Sequence, residues 1–207
     1  MTRDTLVESP LRCPTPLVWA ERVMCDPLAL LNDHAHLEKK AVSNALDLLH
    51  RWPPDGDGRL VQHWVATLTG VACDEAEHLA TVTRLLARRG GRLSKTHQNP
   101  YAAALRRLVR LGGSGELIDR LMVCALIEAR SCERFDVLAG HVEDDELARL
   151  YRRLGASERG HYAVFIDLAR RIAPADVVEA RWSEMLDAEA VILAAQPPGA
   201  AMHSGIE

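Results

Sequence analysis

Apolar residues recur every three or four positions over five long stretches of the chain, the period at which side chains return to one face of an α-helix. Leu30, Leu31, Val42, Ala45 and Leu49 form the first stripe. It starts at Asp26-Pro27, an acceptor cap followed by proline at the first helical position, and runs to about His50, where Trp52-Pro53-Pro54-Asp55-Gly56 breaks it. Trp64, Leu68, Val71, Val82 and Leu85 predict a second helix from about Gly58 to Arg89, stopped by Gly90-Gly91. A third, about Ser114 to Gly140, carries Leu117, Leu121, Cys124, Ala125, Cys132 and Phe135 on one side. A fourth, about Glu143 to Ala173, carries Leu147, Leu150, Tyr151, Leu154, Phe165 and Leu168, and Pro174 ends it. The last, about Ala175 to Ala195, presents Val178, Trp182, Met185, Leu186, Val191 and Leu193. Asn99-Pro100 predicts a short helix to about Leu111 between the second and third, closed by Gly112-Gly113-Ser114-Gly115. Pro10, Pro14 and Pro16 predict an irregular arm over residues 1–25 that lies across the bundle, and residues 196–207, rich in proline and small residues, read as a frayed tail.

Four of these stripes are interrupted by the same kind of residue. Glu38 stands inside the first, Glu75 and His78 inside the second, Glu128 inside the third, and Glu158 and His161 inside the fourth. Positions i and i+3 share a helix face, so each Glu-x-x-His pair points one way, into the bundle. Glu38 precedes Glu75 by 37 positions and Glu128 precedes Glu158 by 30, each a helical hairpin, so the halves look duplicated. The 53 positions from Glu75 to Glu128 exceed a tight turn and fit one long crossover. Four carboxylates and two imidazoles turned into an apolar core are costly as free charges, several kcal/mol per unpaired ion, and two divalent cations remove most of that penalty. One Glu from each of two helices plus Glu-x-x-His from each of the other two is the set with which four-helix carboxylate proteins hold two iron or manganese ions. An oxygen-rich set with one imidazole per metal favours iron or manganese over zinc. The pattern makes Glu75 and Glu158 bridging carboxylates and Glu38 and Glu128 terminal ones, with one nitrogen from each of His78 and His161.

The remaining candidates carry less. His34, His36, His50, His63, His97, His141 and His203 fit no ligand spacing and read as solvated or hydrogen-bonded side chains. Glu77 falls off the inward face, Glu133 reads as a salt-bridge partner, and Asp74 is placed either to orient a ligand histidine or to face water. Cys13, Cys25, Cys73, Cys124 and Cys132 are odd in number and contain no C-x-x-C pair, which speaks against a disulfide framework and a cysteine metal site and for a reducing cytosol. Ala, Leu, Arg and Glu dominate a chain of 207 residues that is 48% hydrophobic and 4% aromatic, in keeping with one all-α domain. A net charge of −4 provides no global attraction for nucleic acid, so any polyanion must meet a local basic patch. Arg3, Asp4 and Glu8 are followed by no apolar run, and no stretch of about 18 apolar residues occurs, which argues against secretion and membrane spanning.

From about Pro16 to Ala195 the chain resembles the MiaE-type tRNA hydroxylases, through Asp33-His34-Ala35-His36-Leu37-Glu38-Lys39-Lys40-Ala41, Asp74-Glu75-Ala76-Glu77-His78, Ile127-Glu128-Ala129-Arg130-Ser131-Cys132-Glu133-Arg134-Phe135 and Ser157-Glu158-Arg159-Gly160-His161. The resemblance implies a ferritin-like four-helix bundle with extra short helices and a C-terminal helix. It implies a di-iron monooxygenase that uses O2 and two electrons from an external donor to hydroxylate the isopentenyl group of 2-methylthio-isopentenyl-adenosine next to the anticodon. Expected partners are tRNA, presenting an extruded anticodon-loop nucleotide, and a reductase; no membrane is expected, and the state is monomer or dimer. Phosphate-binding candidates are Arg84, Arg88, Arg89, Arg92 and Lys95, then Arg106, Arg107 and Arg110, then Arg149, Arg152 and Arg153, against the plain alternative of solvated helix faces. The same ligands also suit a ferroxidase or iron-handling protein, or another di-iron or di-manganese oxidoreductase with a small substrate. A quinone hydroxylase fits less well, because the last helix carries Asp176, Glu179, Arg181, Glu184, Asp187 and Glu189 and makes a poor membrane face. A metal-free structural bundle is the non-enzymatic alternative.

Overall fold

The computed structural model describes residues 9–53, 56–113 and 115–206, and among these the chain forms seven helices and no strand. Four are long: α2 (Pro27–Leu48), α3 (Gly58–Arg88), α5 (Gly115–His141) and α6 (Asp145–Ile172). Helix α2 packs along α3 and α5 along α6, giving the two predicted hairpins. Ser114, the expected start of the third long helix, lies outside the described residues. The crossover holds α4 (Pro100–Arg106), and α7 (Ala175–Ala194) packs on α4 and α5.

Local chemistry sets these boundaries. Asp26 accepts from the Ala29 N–H at 2.9 Å ahead of Pro27, Asp57 from Leu60 at 2.8 Å, and Asn99 from Ala102 at 3.0 Å ahead of Pro100. At the far end of α3, Gly90 adopts φ 81°, a left-handed conformation suited to glycine, and the Gly91 N–H returns to the Leu86 carbonyl at 2.9 Å. Helix α4 ends well before Leu111, earlier than periodicity predicts. The buried Asp119 draws the chain out of helix there, accepting both the Arg110 backbone N–H and its guanidinium at 2.8–2.9 Å.

Two apolar clusters flank the layer of inward-facing acids and histidines. One gathers the C-terminal half of α2 and the N-terminal half of α3 with α4 and α7, through Leu48, Trp64, Leu68, Tyr101, Leu121 and Trp182. The other gathers the opposite helix halves, through Leu30, Leu31, Leu85, Leu86, Phe135, Tyr151 and Leu154.

Both chain ends depart from expectation, and both close this second cluster. Residues 1–8 lie outside the described residues, but the rest of the supposed irregular arm contains α1 (Leu17–Met24), which buries Trp19, Ala20 and Val23. All three prolines precede the helix, and Pro16 accepts the Trp19 N–H at 3.0 Å as its first turn forms. The supposed frayed tail is likewise bedded into the protein, with Met202 fully buried. The Met202 N–H donates to Asp33 Oδ2 at 2.7 Å, the Trp19 indole N–H to Ser204 Oγ at 3.1 Å, and the Arg134 guanidinium to the Met202 and Ser204 carbonyls. A side chain at Gly205 would place its Cβ 2.0 Å from the Gln196 carbonyl, so glycine is needed where the tail folds on itself.

Candidate metal centre

The six residues singled out by spacing converge from four helices. Ligand atoms of Glu38, Glu75, His78 and Glu158 lie within 4.8 Å of one another, and so do those of Glu75, Glu128, Glu158 and His161. Glu75 and Glu158 belong to both groups and stand between the outer pairs Glu38/His78 and Glu128/His161. His78 Nδ1 is 3.3 Å from Glu158, 3.5 Å from Glu75 and 3.9 Å from Glu38. His161 Nδ1 is 3.3 Å from Glu158 and 2.7 Å from Glu75, the latter an ionic contact not aligned as a hydrogen bond. All six are buried.

The electrostatics of the metal-free cluster follow from that crowding. Burial, then the charges of Glu75 and Glu158, push Glu38 and Glu128 well above the carboxylate range. Burial pulls Glu75 and Glu158 the same way, but the imidazoles of His161 and His78 outweigh it and hold both below their ordinary value. Burial by itself would lower the histidines; the same two carboxylates instead raise His78 to about 9 and His161 to about 10. Protons on the two imidazoles and two outer carboxyls thus balance the charge of the inner carboxylates. The balance is incomplete in hydrogen-bonding terms: both Glu75 oxygens and His78 Nδ1 are buried with no hydrogen-bond partner, at about 1–3 kcal/mol each. Unpartnered donor atoms, an oxygen-rich set and one imidazole per group fit a pair of iron ions, or manganese, in place of those protons.

Two further residues touch the cluster. His34, which spacing set aside, is fully buried and hydrogen-bonds through Nε2 to Glu38 Oε1 at 2.5 Å. Its ring lies against Phe135 and Tyr151, and burial lowers it to about 4. The signal was present in the sequence, because positions 34 and 38 share a helix face. Asp74 Oδ2 stands 3.3 Å from His161 Nε2, the orienting position weighed for it above. The other histidines stay away from the ligand atoms: His50, His63 and His141 are exposed, His36 stacks on His97, and His203 packs on Tyr101. Burial raises the Cys124 and Cys132 thiols to about 12, which keeps them protonated core residues, while Cys73 is exposed. Glu133 is a salt-bridge partner, of Arg130 at 3.1 Å, and also accepts from Thr15. Of the basic candidates, Arg88 and Arg89 are engaged by Glu146 and Asp144, and Arg110 by Asp119.

Comparison with known proteins agrees with this geometry. Residues 4–204 match the sequence model of the family described as tRNA-(MS2IO6A)-hydroxylase (MiaE). A Pseudomonas putida protein named tRNA 2-(methylsulfanyl)-N(6)-isopentenyladenosine(37) hydroxylase is 39% identical over 97% of this chain and 94% of its own length. A Salmonella typhimurium protein of the same name is 28% identical over 95% of this chain and 88% of its own. Among solved structures, a Synechococcus protein described as having aldehyde deformylating oxygenase activity superposes with a TM-score of 0.85 at 32% identity, covering 94% of this chain and 96% of that one. The fold is the ferritin-like bundle with a C-terminal helix.

Proposed function

The chain belongs to the MiaE family of tRNA hydroxylases, and on that footing we propose that it hydroxylates the isopentenyl group of 2-methylthio-isopentenyl-adenosine next to the anticodon, using O2 and two electrons. Glu38, Glu75, His78, Glu128, Glu158 and His161 would hold two iron ions, Glu75 and Glu158 being shared by both ligand groups. The iron pair, when bound, supplies the binding and reduction of O2, with electrons from an external reductase. The chain's own part is geometry and dryness. His34 fixes the Glu38 carboxylate, Asp74 orients the His161 ring, and the flanking apolar clusters exclude water. Both hairpins contribute to each ligand group, which supports reading them as parts of one domain.

The observation that carries this reading is the convergence of the six residues in a chain whose curated relatives are named for one reaction. Iron storage, built on similar ligands, has no such support. Among the described residues no helix is long and apolar enough to cross a membrane. The test is mass spectrometry of nucleosides from hypomodified tRNA incubated with iron-loaded protein, O2 and an electron source. A gain of one oxygen on the isopentenylated adenosine is expected; its absence in protein shown to hold two irons rejects the substrate.

A further inference from the structure

A cavity of about 420 Å3 opens between α2 and the crossover, lined by Lys40, Ser43, Asn44, Asn99, Ala103 and Arg106. A second, of about 30 Å3, shares Lys40, Asn44, Asn99 and Arg106 with it and runs inward past Leu37, Ala41, Ala102, Cys124, Ile127 and Phe165 to Glu128. Together they make a funnel that is polar and cationic outside, apolar inside, and ends on one ligand of the metal centre. Size divides its parts. The outer chamber falls in the range of small-molecule sites, about 300–1,000 Å3. The throat has room for two or three waters at roughly 10–15 Å3 each, is far too narrow for a purine ring, and has to widen by side-chain movement to take a five-carbon chain.

The mouth is also preorganised. Lys40 Nζ lies 2.8 Å from His97 Nδ1; an ammonium can only donate, so Nδ1 accepts and the ring proton sits on Nε2. That N–H donates to Asp33 Oδ1 at 2.6 Å, and the other oxygen of Asp33 is held by the Met202 N–H. The folded tail thereby fixes the Lys40 ammonium through Asp33 and His97. No carboxylate pairs with Lys40 or Arg106 among the described residues, whereas nearby Arg120 is paired with Glu116.

Resting on the hydroxylase reading, we propose that this funnel is the substrate path: Lys40 and Arg106 hold RNA phosphates beside the modified adenosine, the outer chamber holds its base, and the throat takes the isopentenyl chain to the Glu128 side of the centre. The Arg149, Arg152 and Arg153 cluster borders neither cavity and has no such part.

The test uses iron-loaded protein and an anticodon stem-loop carrying 2-methylthio-isopentenyl-adenosine, with the free nucleoside as phosphate-less substrate. Lys40→Ala and Arg106→Ala should each weaken stem-loop binding by fluorescence anisotropy about tenfold and reduce the slope of log affinity against log salt by roughly 1. The accompanying rise in KM should be at least about fivefold larger for the stem-loop than for the nucleoside, because only the stem-loop has phosphates to lose. Arg59→Ala, exposed in the first turn of α3 and bordering neither cavity, serves as control. Ala102→Leu should retain iron and stem-loop affinity while hydroxylation falls by roughly 100-fold; Ala41→Val is the milder plug should the first fail to fold. Wild-type affinity in both mouth variants, loss of binding in Arg152→Ala instead, or full turnover in an iron-loaded throat variant overturns the proposal. Wild-type protein that binds the stem-loop without hydroxylating it sinks the hydroxylase reading, and the anisotropy arm still decides the mouth because it needs no turnover.

Discussion

Four residues before Glu38 stands His34, and four residues before Glu128 stands Cys124. Both positions share a face with their glutamate, yet they build different surroundings. His34 is buried between Phe135 and Tyr151 and hydrogen-bonds to Glu38, and the cluster behind it is closed by Trp19 from α1 and Met202 from the tail. Cys124 is small, makes no such bond, and leaves the throat that reaches Glu128. The two halves supply the same ligands, but Glu38 is backed by His34 whereas Glu128 lines a cavity. Duplicated chemistry in the sequence therefore need not mean duplicated access in the fold. A centre open on one side can admit substrate there while the far side fixes its carboxylates.

The largest effects belong to what the halves share. Glu158→Ala should leave a helical protein by circular dichroism but take iron from about two ions per chain to nearly none, with hydroxylation lost, because both ligand groups use that carboxylate. Retention of iron and activity together would break the assignment of the centre. A smaller and more telling effect separates the halves. His34→Ala removes a buried ring and the bond to Glu38, so iron affinity should fall about 10–100-fold and the metal-free chain should lose about 2–4 kcal/mol in urea denaturation. Cys124→Ala should cost less than about 1.5 kcal/mol and leave iron affinity unchanged, since its neighbour is already a cavity. Equal losses from the two variants would erase the distinction between sealed and open halves.

The sealing was the part that the sequence hid. The stripes through Leu30, Leu68, Leu121 and Leu154 announce their helices within a few residues, because period 3.6 is a local property of the chain. The same locality made Glu38, Glu75, His78, Glu128, Glu158 and His161 legible as inward-facing interruptions. The contacts of Asp33 with Met202 and of Arg134 with Ser204 join residues 169 and 70 positions apart, and nothing in Pro-Pro-Gly or Ala-Ala-Met announces a buried polar partner across the molecule. Helix α1 was masked by its neighbours, three prolines that disfavour helix before residue 17 but not after it. His34 was legible in principle, since its spacing from Glu38 is that of facing residues, but a lone histidine beside a carboxylate reads first as an ordinary pair.

The smallest test compares the caps at the two ends. At the sealed end Asp144 accepts from the Glu146 and Leu147 N–H groups at the start of α6 and also holds Arg89, at the end of α3, through two bonds of 2.6 and 2.9 Å. At the open end Asp57 caps α3 through Leu60, without an arginine among the described ion pairs. Replacing either aspartate by alanine should cost about 1 kcal/mol, the usual worth of such a cap. The excess at Asp144 should stay below about 1 kcal/mol and shrink in high salt, because the Arg89 pair is partly solvated. Hydrogen bonding from Arg89 holds the Asp144 carboxyl at about 2, below the roughly 3.9 of an unfolded aspartate. A depressed folded value means that the contribution is fully present above about pH 4 and disappears as the pH falls through about 2. Urea denaturation of wild type and Asp144→Ala at pH 7 and near pH 2 should therefore show a gap that narrows in acid, and a gap that stayed constant would show that the contribution of Asp144 does not depend on its ionised carboxylate.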